Sequence, residues 1–143
     1  MKTNVILSCE TDITIEFYDV DSMDMVWHGN YVKYLEQARC RLFEKLGYDY
    51  SCMLAHGHAW PIVDLKIKYI KPAVFCQKIR IYSELVEWEH RLKVRYIIMD
   101  AESGLRLTKA QTTQMVVDLE SGETLFEAPE ILKQKVQAIR EEQ

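Results

Sequence analysis

At 143 residues, with 48% apolar and 28% charged side chains, the chain has the length and composition of one globular domain, 1–143, built on a single core. A net charge of −4 argues against the broad basic footprint of a nucleic-acid binder, and no run of eighteen apolar residues offers a membrane-spanning helix. Cys9, Cys40, Cys52 and Cys76 form no C-x-x-C pair, which speaks against a zinc knuckle or a thioredoxin-type site and for a reducing compartment.

In chain order, Thr11 to Tyr18 sets Ile13, Ile15 and Phe17 against Thr14, Glu16 and Tyr18, the period of two that marks a half-buried strand. An acidic loop with Asp19, Asp21 and Asp24 follows. From Tyr31 to Leu46 the apolar residues fall at 31, 34, 35, 38, 42 and 46, one face of an amphipathic helix roughly 24 Å long. Asn30 suits its N-cap and Gly47 its left-handed stop, while Cys40 within it is expected to pack as a small apolar side chain.

Gly47 to Ala59 has little periodicity and reads as a connection. Trp60 to Ile70 alternates Val63, Leu65, Ile67 and Tyr69 against Asp64, Lys66 and Lys68, a second strand that Lys71-Pro72 interrupts. Lys78 to Trp88 and Arg91 to Asp100 give a third and a fourth strand, and Leu105 to Leu119 a long fifth with a polar middle from Lys109 to Gln114. Pro129 to Arg140 closes the chain as a short helix with Leu132, Val136 and Ile139 on one side. One strand, a long helix and four strands joined by short turns predict an α+β domain whose antiparallel sheet of about five strands wraps the helix.

The chemistry gathers at the start of the long helix. Unpaired backbone N–H groups and the positive end of the helix dipole can hold an oxyanion there, and a carboxylate just upstream can act on the group so polarised. Asp21 stands seven positions before His28, in the frame Y-D-x-D-(x)5-W-H-x-N-Y-(x)2-Y-(x)4-R. This frame, about a fifth of the chain, resembles the signature of the hotdog-fold acyl-CoA thioesterases of the 4-hydroxybenzoyl-CoA thioesterase type.

The resemblance implies a hotdog fold and hydrolysis of an acyl-CoA to free acid and coenzyme A. Coenzyme A is then part of the substrate and no separate cofactor is needed. In such proteins an aspartate at the place of Asp21 attacks the thioester carbonyl or activates water, and a histidine side chain at the place of His28 orients that carboxylate, holds the water or assists proton transfer. In them the amide at His28, joined by that of Gly29, forms the oxyanion hole, and dimers or dimers of dimers (a homotetramer) carry sites at their interfaces. Release of an acyl chain from acyl carrier protein is a neighbouring reading, and a noncatalytic acyl-CoA-binding module another. Two positions depart from the family pattern: Phe17 replaces a common tyrosine and Asp24 a usual glycine.

Plainer roles stand beside these. Asp19 and Asp21 are also the residues that cap turns, and His28 can be a partly buried neutral histidine. Trp27, Tyr31 and Lys71 are the candidate substrate contacts, aromatic for an acyl group and cationic for phosphates, although core packing and solvation explain most such residues. His56 and His58 lack a third ligand at fixed spacing, so no metal site is expected. The stretch before Ile6-Leu7-Ser8-Cys9 is too short for a signal peptide, and a cytoplasmic protein without a membrane or nucleic-acid partner is expected.

Overall fold

The computed structural model describes residues 5–142. In chain order the elements are β1 (Leu7–Thr14), α1 (Asn30–Leu46), α2 (Tyr50–Ala55), β2 (His58–Ala59), β3 (Ile62–Tyr69), β4 (Lys78–Glu87), β5 (Leu92–Asp100), β6 (Arg106–Gln114), β7 (Val116–Asp118), β8 (Thr124–Leu125) and α3 (Glu130–Glu141). The main sheet is antiparallel throughout in the order β1-β4-β5-β6-β3, and β2-β7-β8 form a small second sheet. This is the expected α+β hotdog arrangement, with one long helix held against the sheet.

Alternation decides which side of the sheet is dry. Ile79, Ile81, Ser83 and Leu85 of β4 and Leu92, Val94, Tyr96 and Ile98 of β5 are buried on the side that faces α1. The helix lies chiefly across β1 and β4 and buries Tyr31, Tyr34, Leu35, Ala38, Leu42, Phe43 and Leu46, the predicted stripe with Phe43 added. Gly47, at φ 80°, takes the left-handed turn that ends it. Leu132 and Val136 of α3 close the core beside α1.

Several boundaries differ from the sequence reading, each for a local reason. The first strand is Leu7–Thr14, four residues earlier than its alternation suggests, because Asp19 draws the chain into a 3-10 turn over Phe17–Asp19 by accepting the Glu16 N–H at 3.0 Å. The supposed connection holds α2, capped by the Asp49 carboxylate on the Cys52 N–H at 2.9 Å, and β2. The fifth strand breaks at Met115: β6 stays in the main sheet while β7 turns away to pair with β2. Cys40 is exposed rather than packed, and Asn30 is the first helical residue rather than the cap, its amide donating to the Asp19 carbonyl at 2.8 Å.

β3 is an edge strand, and its apolar side chains stay uncovered. Ile62, Val63, Leu65 and Tyr69 are 40%, 56%, 39% and 49% exposed, although the alternation of Val63, Leu65, Ile67 and Tyr69 has the look of a half-buried strand.

Candidate active site

The acidic loop folds as a miniature hairpin. Val20 bridges Val26, the Asp21 N–H donates to the Met25 carbonyl at 2.8 Å, and Asp24 occupies the left-handed region at φ 63°, a conformation that glycine takes freely and that Asp tolerates better than most residues. Asp21 Oδ1 accepts the N–H groups of Met23 (2.8 Å) and Met25 (3.3 Å). Those two bonds fix the carboxyl group; Oδ2 takes part in neither of them. The carboxyl group thus caps the turn through one oxygen and leaves the other out of those bonds.

The loop is fastened to the helix start by backbone groups. The Asp19 carbonyl accepts from both the Trp27 N–H (3.0 Å) and the Asn30 side chain, and the Val26 N–H donates to Ala73 at 2.9 Å. Tyr31, the first buried residue of α1, accepts the Ala73 N–H on its hydroxyl at 3.2 Å, and the Tyr69 hydroxyl donates to the His28 carbonyl at 3.2 Å. The rings of Tyr31 and Tyr69 meet edge to face at 5.1 Å. Burial, with Tyr31 beside it, holds the Tyr69 phenol above its ordinary range, so it remains a donor.

Asp21, Met25, Val26, His28, Tyr31, Tyr69, Ile70, Lys71 and Pro72 line one open depression of about 330 Å³. Four of the six singled-out residues thus come together here: Asp21, His28, Tyr31 and Lys71. Trp27 does not line the depression. Its half-exposed indole leans on the His28 ring at 5.1 Å and lies across Gly29. Among the described residues, the N–H groups of His28 and Gly29 donate to no backbone acceptor. They stand just before a helix of 17 residues, whose dipole adds positive potential at that end.

Gly29 has ordinary right-handed dihedrals (φ −67°, ψ −24°), so its backbone does not require glycine. Its space does: a Cβ would stand 2.2 Å from the Trp27 ring. Because that ring is half exposed, Gly29→Ala should swing it aside at a cost of about 1 kcal/mol or less, changing tryptophan fluorescence while leaving the melting temperature nearly unchanged. A large drop in melting temperature would show that the indole is fixed.

Tyr69 and Asp19 are parts of this site that sequence reasoning did not single out. Tyr69 looked like the last apolar residue of a strand, and Asp19 like a turn residue, yet Asp19 is 3% exposed. Its negative charge, after burial itself, pushes the neighbouring Tyr34 phenol well above the ordinary range. His56 caps its own short helix, with Nδ1 2.9 Å from the Cys52 carbonyl oxygen.

Comparison with known proteins adds a family to this geometry. The family model described as the thioesterase-like superfamily matches residues 15–138. The candidate acyl-CoA thioesterase YneP of Bacillus subtilis (strain 168) is 28% identical over 110 residues, 77% of this chain and 80% of its own. The long-chain acyl-CoA thioesterase FadM of Escherichia coli (strain K12) is 25% identical over 132 residues, 92% of this chain and 99% of its own. Among solved structures, the DHNA-CoA thioesterase of Staphylococcus aureus superposes with a TM-score of 0.80 at 26% identity, covering 94% of each chain.

Proposed function

We infer the reaction from the premise that this chain belongs to the thioesterase-like superfamily: it hydrolyses an acyl-CoA thioester to the free acid and coenzyme A. What carries the reading is the convergence of a carboxylate held by two N–H groups, at Asp21, and two backbone N–H groups, at His28 and Gly29, beside one depression. YneP and FadM, with acyl-CoA thioesterase in their names, align with most of the chain.

In this mechanism the thioester carbonyl lies against the start of α1, where the His28 and Gly29 amides receive the developing oxyanion. Each such donor typically contributes about 3 kcal/mol in the transition state. Asp21 either attacks the carbonyl carbon through its carboxylate oxygen or takes a proton from the attacking water. The bond to sulfur then breaks, and the thiolate leaves readily because a simple thiol has a pKa of about 8.5; where Asp21 itself attacked, water then hydrolyses the mixed anhydride, releasing the acid and restoring the carboxylate. Little acid assistance is needed, which suits a site where the exposed His28 side chain is a secondary orienting group. Tyr31 and Lys71 are placed to contact the acyl group and the carrier, and Trp27 to shield the far side of His28.

The same reading makes the chain a homodimer through β3, with pairing into tetramers as the next level. The support is an unpaired edge whose Ile62, Val63, Leu65 and Tyr69 are all exposed, apolar side chains of the kind that natural sheets cover. Sedimentation should give at least twice the 16.9 kDa chain mass; a monomer at micromolar concentration would refute the pairing. Four free cysteines suit a cytoplasmic setting.

The test of the reaction is a thiol-release assay over acyl-CoAs of different chain length and aromatic character, with an acyl carrier protein substrate included. Turnover of at least one acyl-CoA is expected. Turnover of the carrier-protein substrate alone would move the assignment to the neighbouring reaction, and none at all would leave a binding module.

A further inference from the structure

We infer that the outer face of the main sheet carries an anion subsite, the concavity ringed by Lys66, Lys68, Arg106 and Lys109, which takes the phosphate-bearing nucleotide end of the thioester substrate. The proposal rests on the acyl-CoA reading above and gives that substrate's distal end a place.

The concavity is about 570 Å³ and lies on the side of the sheet away from α1. Its size is that of a small-ligand pocket rather than a flat protein-docking face. Register puts the cations together: Lys68 stands directly opposite Lys109, and Lys66 and Arg95 flank Gln111 from either side. Like charges directly opposite on adjacent strands are destabilising. A chain with a net charge of −4 nevertheless keeps this pair, and a local rule broken in this way marks a functional position more often than an accident.

Ion pairing sharpens the contrast. Lys33, Arg41, Arg80, Arg91 and Arg95 each have a carboxylate within 4 Å, whereas Lys66, Lys68, Arg106 and Lys109 have none among the described residues. Glu84, the acid that lines the concavity, is engaged by Arg95 at 3.6 Å. Four cations without a carboxylate within 4 Å thus share one hollow, where phosphate oxygens can be met from several sides.

The subsite also lies within reach of the reacting centre. Lys68 and Lys71 are three residues apart, roughly 10 Å along the strand direction, and Lys71 lines the depression with Asp21. The Leu107 carbonyl accepts the N–H groups of both Ile70 (2.9 Å) and Lys71 (3.0 Å), which anchors neighbouring Arg106 at the same end of β3. A pantetheine arm, comparable in length to about five residues and so roughly 17 Å extended, can pass around that end from one hollow to the other. Edge pairing through β3 would extend the sheet in its own plane and would not by itself cover this face.

The experiment compares wild type with a Lys68→Gln, Lys109→Gln double variant on two thioesters of the same acyl group, one on coenzyme A and one on pantetheine, which lacks the nucleotide. The expected result is a KM for the coenzyme A thioester about tenfold higher in the variant at low salt, with kcat held and the pantetheine thioester unaffected. The difference should shrink towards 1 M salt, where the screening length is about 3 Å. The double variant Lys133→Gln, Lys135→Gln on α3 serves as the charge-matched control.

An unchanged KM, or an equal rise for both thioesters, would overturn the subsite, as would a loss confined to an acyl carrier protein substrate. Calorimetric titration with adenosine 3′,5′-bisphosphate reads the site without turnover. Binding by wild type that weakens in the double variant supports it even if no thioester is cleaved. Normal acyl-CoA turnover without such binding rejects the subsite and leaves the hydrolase reading intact.

Discussion

Replacing Asp21 with asparagine should lower kcat for the preferred acyl-CoA by about a thousandfold or more, with the folded state retained. Asparagine keeps an oxygen that can accept the Met23 and Met25 N–H groups, so the miniature hairpin survives. What it loses is the negative charge, and with it the nucleophile or base that the proposed mechanism assigns to Asp21. A lost base or nucleophile leaves only the oxyanion donors and binding, and residual rates of that kind are commonly several orders of magnitude down. Asp21→Ala removes the hairpin bonds as well and should show the same kinetic loss with a modest fall in stability. Both variants are read by thiol release and by circular dichroism on one preparation. Full turnover in Asp21→Asn would remove the carboxylate from the mechanism.

The central features of this arrangement are visible in the sequence because they rest on periodicity. The stripe from Tyr31 to Leu46 matches the buried face of α1 residue for residue except Phe43, and Gly47 stops the helix as its backbone freedom suggests. The alternation of β4 and β5 likewise gives their inward residues. Asp21, His28, Tyr31 and Lys71 share a depression because sequence proximity and one strand end bring them there.

What the sequence conceals is tertiary. The alternation of Ile13, Ile15 and Phe17 continues past the true end of β1, and only a buried carboxylate four residues beyond Ile15 turns the chain so that Phe17 ends 75% exposed. β6 buries Thr108, Thr112, Thr113 and Gln114, of which Thr112 meets the Tyr96 hydroxyl at 2.8 Å and Gln114 donates to the Trp60 carbonyl at 2.7 Å. A hydropathy pattern has no way to announce that. β3 shows the opposite case, an apolar alternation that one chain alone leaves uncovered. Tyr69 contributes through its hydroxyl, a detail invisible to any pattern that counts it as apolar.

Asp19→Ala should cost about 2–3 kcal/mol of stability and lower kcat/KM by roughly ten- to a hundredfold. Two groups depend on this buried carboxylate: the Glu16 N–H at 3.0 Å and the Lys33 ammonium at 3.5 Å. Removing it leaves the Glu16 N–H without its acceptor and frees the 3-10 turn, and that lost acceptor at a buried position carries most of the cost. Lys33 is exposed and recovers its hydration, so it contributes little. The kinetic loss arises because the Asp19 carbonyl also ties Trp27 and Asn30 to the loop that carries Asp21, and a loosened turn displaces the carboxyl group from the helix start. Asp19→Asn preserves the shape and one acceptor and should recover most of the activity but only part of the stability. Chemical denaturation and thiol release on the two variants separate these effects. If Asp19→Ala were as stable and as active as wild type, the 3-10 turn would not be what holds Asp21 in place.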